Sequence, residues 1–178
     1  MIICAGRNET FPFAQTIGVG LIESAINLTR ICLFNKPEYL LFIGSAGSYG
    51  NHKIFDIVES KRAANVELAF LNADAYTPLD NVLESENKFT RNDTIVNSSN
   101  YISTNKELTK KYLEYGIGAE NMEYFSVLSV VKEFEIPVAG IFVITNFTDE
   151  NAHEDFMKNH KTAMEKLTNY LVEKNIIK

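Results

Sequence analysis

The sequence predicts an α/β domain built on a largely parallel sheet, and three observations carry that expectation. Apolar runs of strand length occur at 1–5, 39–43, 54–59, 94–97 and 138–145, and their nearly unbroken aliphatic character suits strands covered on both faces. Segments with helical spacing lie between them. Runs that end in Gly, Ser, Asn or Asp mark the carboxyl edge of the sheet, where folds of this class collect ligands.

Taken in order, Met1-Ile2-Ile3-Cys4-Ala5 is the first strand. Residues 20–34 place Leu21, Ile22, Ala25, Ile26, Leu28, Cys32 and Leu33 on one broad apolar face, which predicts the first helix. Residues 106–115 and 122–134 read as two more helices. A last helix is expected over 150–174, with a stripe of Phe156, Ala163, Met164, Leu167, Tyr170 and Leu171 and with Asp149 as its N-cap. The stretch 63–92 is polar, weakly periodic and carries Pro78, so it reads as a long surface excursion. With no internal repeat or low-complexity tract, 1–178 is expected to be a single domain with one sizeable insertion.

Composition narrows the possible functions. A chain of 178 residues buries roughly 70% of its unfolded surface. At 46% hydrophobic and 22% charged residues it falls among globular proteins and outside the disordered and collagenous classes. The net charge of −6 comes without a long basic block, which argues against polymeric nucleic acid as a partner. A small anion is still compatible with it, because a few backbone N–H groups and one or two basic side chains can hold one. Cys4 and Cys32 each sit in an apolar stretch and read as buried thiols. The N-terminus shows no basic segment before its apolar residues, and no stretch approaches the roughly 20 apolar residues of a membrane span. The expected location is the cytoplasm, where the Asn-x-Ser/Thr sequons, Asn92 among them, carry no glycosylation message.

Three motifs carry chemistry. Gly44-Ser45-Ala46-Gly47-Ser48 closes the 39–43 strand as a small-residue turn that lets backbone N–H groups and the Ser45 hydroxyl approach an anion or a sugar. Upstream, Ile17-Gly18-Val19-Gly20 precedes a helix whose N-terminus can face the same anion. Glu120-Asn121-Met122-Glu123 opens the 122–134 helix; a buried Glu beside a thioether suits a ribose diol on an apolar floor, and a solvated acid at a helix start suits it equally. Thr145-Asn146-Phe147-Thr148-Asp149 follows the last strand, where an amide can hydrogen-bond a purine at N7 or simply make a turn before a helix cap.

The order of these motifs resembles the nucleoside phosphorylase/nucleosidase superfamily, which includes the purine nucleoside phosphorylases and the methylthioadenosine/S-adenosylhomocysteine nucleosidases. Lys36-Pro37 and Lys53-Ile54-Phe55-Asp56-Ile57-Val58 resemble further stretches of that family, and Ser98-Ser99-Asn100-Tyr101-Ile102 resembles its base-lining segment. The resemblance implies a three-layer αβα phosphorylase/hydrolase-like fold with a central mixed, largely parallel sheet. It implies that Ser45 and the Gly18/Gly20 loop sit near phosphate or a nucleophilic water, that Met122 and Glu123 hold ribose, that Tyr101 or Ile102 flanks the base, and that Asn146 takes N7. It also implies a homo-oligomer in which a neighbouring subunit completes the site.

Departures from the family pattern refine the expectation. Asn146 stands where nucleosidases and hexameric phosphorylases have Asp; an amide donates to N7 but is no general acid, and the trimeric 6-oxopurine phosphorylases share it. The region before Thr16 is short. Arg7 is the phosphate-binding candidate there and Glu9 the candidate water-activating acid. The arginine that hexameric phosphorylases carry before the glycine turn is missing, with Phe42 and Ile43 in its place. His52, His153 and His160 lack metal-ligand spacing and read as surface or cap residues, although His153 follows the Asn146 motif closely enough to face the site; no metal is expected. The resulting expectation is a purine nucleoside phosphorylase for a 6-oxopurine ribonucleoside, with inorganic phosphate as co-substrate and no other cofactor. The alternatives are a nucleosidase using water and an inactive nucleoside-binding homologue.

Overall fold

The computed structural model describes residues 1–86, 90 and 94–178. Residues 87–89 and 91–93, which include the Asn92 sequon and the end of the expected excursion, lie outside that description. Among the described residues nine strands share one sheet. The first are β1 (Ile2–Cys4), β2 (Gln15–Thr16) and β3 (Leu40–Ser48), with the helix α1 (Leu21–Asn35) between the last two. Then come β4 (Ile57–Ser60), β5 (Arg62–Ala64), the short helix α2 (Leu68–Leu71), β6 (Val82–Glu84) and β7 (Ile95–Ser98). The chain finishes with α3 (Lys106–Glu114), β8 (Ile117–Asn121), α4 (Tyr124–Glu133), β9 (Val138–Phe147) and α5 (Ala152–Glu173).

The sheet runs β2-β1-β3-β8-β7-β5-β6, with β9 beside β3 and β4 beside β9. Five of the pairings are parallel; β3 with β8, β4 with β9 and β5 with β6 are antiparallel. The expected mixed, largely parallel sheet is therefore what forms. Its centre is β3, paired with β9 along its whole length. The other edge of β3 is shared: β1 takes Leu41 and Phe42, and β8 takes Gly47 and Ser48. Between those two partners one edge of β3 has no strand neighbour among the described residues.

Alternation along the strands builds the three layers. Leu40 and Phe42 of β3, with Val138, Phe142 and Ile144 of β9, face Leu28 and Ile31 of α1 and Val127, Leu128 and Val131 of α4. Leu41 and Ile43, with Ala139, Ile141 and Val143, face Ala163, Leu167 and Leu171 of α5. Both cysteines are free and buried, as expected.

Four local expectations are corrected. The Gly44 to Ser48 segment is not a turn but the second half of β3, held extended by β9. Glu120 and Asn121 end the strand β8, and α4 begins only at Tyr124. Asp149 does not cap α5; the cap position is Asn151, whose N–H donates to the Asp149 carboxylate at 2.9 Å. The supposed excursion contains β5, α2 and β6, and it buries Ala64 and Val66 against Tyr49 and Tyr112.

Candidate active site

Where β3 loses its neighbour, a cavity of about 240 Å³ opens. Loops after β1, β2, β7 and β8, the end of β9 and the first two turns of α5 line it, together with Ser45, Ala46 and Gly47. The register of β3 against β9 shifts between Ala46 and Gly47, and irregularities of this kind re-aim side chains next to functional sites.

One end of the cavity is built around Glu9. Its carboxylate accepts the Ser45 backbone N–H, at 3.3 Å from each oxygen, and a short hydrogen bond from the Ser45 hydroxyl. The N–H that no strand takes is thus taken by a side chain from the β1 loop. Gly44 leaves room for it, since a Cβ there would sit 2.9 Å from Glu9 Oε2. Burial raises the Glu9 pKa above the ordinary carboxylate value, against the lowering effect of both Ser45 donors.

Glu123 closes the same end and is 5% exposed. Its Oε1 accepts Gly20 N–H at 2.9 Å, and Oε2 accepts Met122 N–H and Asn121 Nδ2 at 3.2 Å each. Burial pushes its pKa up to about 7, opposed by the Gly20 N–H and reinforced by the charge of Glu9. Gly20 is needed at its position: φ is +83°, and a Cβ would lie 2.8 Å from Asn100 Oδ1.

The other end holds Asn146, 7% exposed at the end of β9. Its Oδ1 accepts from Thr145 Oγ1 at 2.9 Å and its Nδ2 donates to the Phe147 carbonyl at 3.0 Å. Gly47 packs against it, because a Cβ there would be 2.9 Å from Asn146 Nδ2. Three residues of strand separate Gly44 from Gly47, about 10 Å, so the cavity has two chemically distinct poles along β3.

Ser45, Arg7, Glu9, Tyr101, Ile102, Met122, Glu123 and Asn146 line this cavity; of the Gly18/Gly20 loop only Val19 does, and Gly20 enters through its bond to Glu123. Met122 lies on the wall. Tyr101 and Ile102 stand at the mouth, 82% and 51% exposed. Arg7, at φ +55°, also borders the cavity, but its side chain is 74% exposed and lies 3.7 Å from Glu23. Three amides leading into α1 are occupied by the protein itself: Val19 N–H donates to Glu23 at 3.0 Å, Gly20 N–H to Glu123, and Leu21 N–H to Asn100 Oδ1 at 2.9 Å.

Several lining residues escaped the sequence reading in this role. Glu120 is a third carboxylate, and Ala152 and Phe156 come from α5. His153, read as a surface or cap residue, lines the cavity as well. The run after Asn146 already hinted at the α5 residues, whereas nothing around Glu120 signals its burial. Among the described residues no cluster of His, Cys, Asp or Glu suits a metal ion, and no helix is long and apolar enough to cross a membrane.

The model of the phosphorylase superfamily matches residues 3–174 of the chain. No curated protein sequence matches it. Among solved structures, 5'-methylthioadenosine/S-adenosylhomocysteine nucleosidase from Helicobacter pylori, bound to butyl-thio-DADMe-Immucillin-A, superposes with a TM-score of 0.82 at 18% identity, covering 97% of this chain and 95% of that one. Futalosine hydrolase from H. pylori strain 26695 gives 0.76 at 19% identity, covering 97% and 96%. The Streptococcus pneumoniae MTA/SAH nucleosidase, in complex with 8-aminoadenine, gives 0.77 at 15% identity, covering 96% and 95%. These likenesses concern the fold.

Proposed function

The chain belongs to the phosphorylase superfamily, and we propose that within it the chain hydrolyses the N-glycosidic bond of a purine nucleoside, with water rather than phosphate as the acceptor. The observation that carries this reading is the buried Glu9 carboxylate clasped by Ser45 inside a cavity whose charge is acidic. Glu9, Glu120 and Glu123 all line it, and its one arginine lies largely in solvent beside Glu23. Phosphate would meet like charges, with the amides of Val19, Gly20 and Leu21 already taken. That balance favours hydrolysis over the phosphorolysis expected from the sequence. The nucleosidases and the hydrolase among the similar folds support the same choice.

In this reading water attacks the anomeric carbon while the bond to the base breaks, through a transition state with cationic character on the sugar. Glu9 takes the proton that water loses, and its raised pKa makes it a stronger base than an ordinary carboxylate. Glu123 accepts the ribose hydroxyls above Met122. The departing base takes the bond's electrons and accepts a hydrogen bond from the Asn146 amide at N7, its proton being returned through solvent. An amide stabilises this developing charge without being an acid, which suits 6-oxopurines as leaving groups.

The test is release of free base from inosine, guanosine, adenosine and methylthioadenosine, with and without phosphate, followed by chromatography. The expected outcome is release that added phosphate does not accelerate, and that Arg7→Ala leaves within about threefold, as for a surface side chain outside the reacting groups. Release that requires phosphate would restore phosphorolysis, and no release from any nucleoside would leave the chain a binding protein.

A further inference from the structure

The contacts that hold the two oxygens of Glu123 converge on one short segment, residues 98–100, where β7 runs out towards the cavity mouth. Ser98 is buried and lies beside Asn121 in the register of β7 against β8. Its hydroxyl donates to Asn121 Oδ1 at 2.8 Å and accepts the Phe125 N–H at 2.9 Å. Asn121 Oδ1 also accepts the Tyr124 N–H at 3.1 Å. Two donors on that oxygen decide which way round the amide sits. Asn121 Nδ2 is thereby turned to Glu123, where it donates to Oε2 at 3.2 Å.

The other oxygen is reached by a separate route. Asn100 is exposed, and its Oδ1 accepts the Leu21 N–H at 2.9 Å, which fixes the head of α1. The amide just before it, Gly20 N–H, donates to Glu123 Oε1 at 2.9 Å. Asn100 packs directly on that residue, since a Cβ on Gly20 would lie 2.8 Å from Asn100 Oδ1. The direction of the Gly20 amide therefore follows the position of Asn100. One segment thus acts on Oε2 through Asn121 and on Oε1 through the head of α1. The residues that come next, Tyr101 and Ile102, stand at the mouth of the cavity. Hydrogen bonds weaken steeply as they bend, so a carboxylate that receives sugar hydroxyls depends on how its oxygens are aimed.

We propose that Ser98 and Asn100 are positioning residues for Glu123, which together aim its two oxygens at the sugar, so that the segment leading to the cavity mouth also governs how firmly ribose is held. The proposal rests on the reading in which Glu123 accepts the ribose hydroxyls.

Discrimination between sugars tests it. Inosine and 2',3'-dideoxyinosine differ only in the hydroxyls that Glu123 would receive, and calorimetry in a Glu9→Gln background compares their binding without turnover. That protein should hold inosine at least about tenfold more tightly than the dideoxy compound, the scale of one hydrogen bond to a charged group. Asn100→Ala should cut the preference at least about threefold by weakening inosine, with dideoxyinosine held within about twofold. Asn100→Asp keeps an acceptor for the Leu21 N–H and should restore the preference. Ser98→Ala should act as Asn100→Ala does, and the exposed Asn100 carries the test if the buried Ser98 variant fails to fold. The kcat/KM ratio of the two nucleosides, with Glu9 intact, should move in the same direction. An Asn100→Ala protein that melts earlier and loses both nucleosides equally, as from a lost helix cap alone, overturns the proposal. A preference unchanged in Asn100→Ala overturns it as well. A Glu9→Gln protein with no preference for inosine removes Glu123 from sugar binding and overturns the proposal with it. The expected loss of preference in Asn100→Ala, in a chain that releases no base with Glu9 intact, upholds the positioning role and overturns hydrolysis.

Discussion

Replacing Glu123 by Gln should change how stability depends on pH, by an amount that follows from the site. Burial holds the Glu123 pKa near 7 in the folded protein, against 4.5 for a solvated glutamate. Between those values the folded state retains a proton that the unfolded chain has released, so stability falls as pH rises, fully present below the lower value and lost through the upper one. At about 1.4 kcal/mol per unit the whole interval is worth about 3 kcal/mol, most of it lost between about pH 5 and about pH 8. Gln is neutral throughout and lacks this slope. The hydrogen bonds that it makes less well to Met122 and Asn121 cost the same at both pH values and cancel in the comparison, as does Glu120, which both proteins retain. Urea unfolding of parent and variant across that range is the assay. The difference in unfolding free energy should shift by about 2–3 kcal/mol in favour of the variant from the acid to the alkaline end. Parallel pH profiles for the two proteins would refute the claim that this carboxylate is buried at a cost.

Two further predictions concern the reacting groups. Glu9→Gln should lower the rate of base release by about 10²-fold to 10⁴-fold, the usual contribution of a general base, while the unfolding transition stays cooperative; a rate within threefold of the parent would remove Glu9 from the mechanism. Gly47→Ala brings a methyl group to 2.9 Å from Asn146 Nδ2, and a displacement approaching 1 Å should cost about 10²-fold in kcat. Because the clash is with a side-chain end, the overpacking cost should stay near 1 kcal/mol, seen as a fall of about 2–4 °C in the melting temperature.

Legibility in the sequence followed the strength of local pattern. The cores of β3 and β9 and the helices α1, α3 and α5 show in aliphatic runs and helical spacing, since both depend on burial of neighbouring residues. The second half of β3 does not show, because Gly44 to Ser48 have turn-forming composition and are extended only through pairing with β9. β8 escaped for the same reason: Ile117-Gly118-Ala119-Glu120-Asn121 has little strand propensity of its own. It is held between β7 and β3, where a Cβ on Gly118 would come within 2.7 Å of Asn51 Nδ2. With β8 hidden, the burial of Glu120 was hidden too. The residues of the site were found largely by motif order, whereas the Glu9 to Ser45 contact spans 36 positions and no local rule could supply it.

The unpaired length of β3 has a consequence for how such a site endures. The grip on Glu9 begins at a main-chain amide, and that amide is free because two neighbouring strands each cover only part of an edge. Every residue except proline carries the same amide. A site anchored in this way inherits its position from the path of the chain, and that path can be kept while most of the sequence changes: the chain matches the backbone of a nucleosidase at a TM-score of 0.82 with 18% identity overall. The interrupted edge acts as a hereditary socket: lineages can trade the acid, the amide and the wall residues fitted to it, and so change what is bound without rebuilding the place where binding happens.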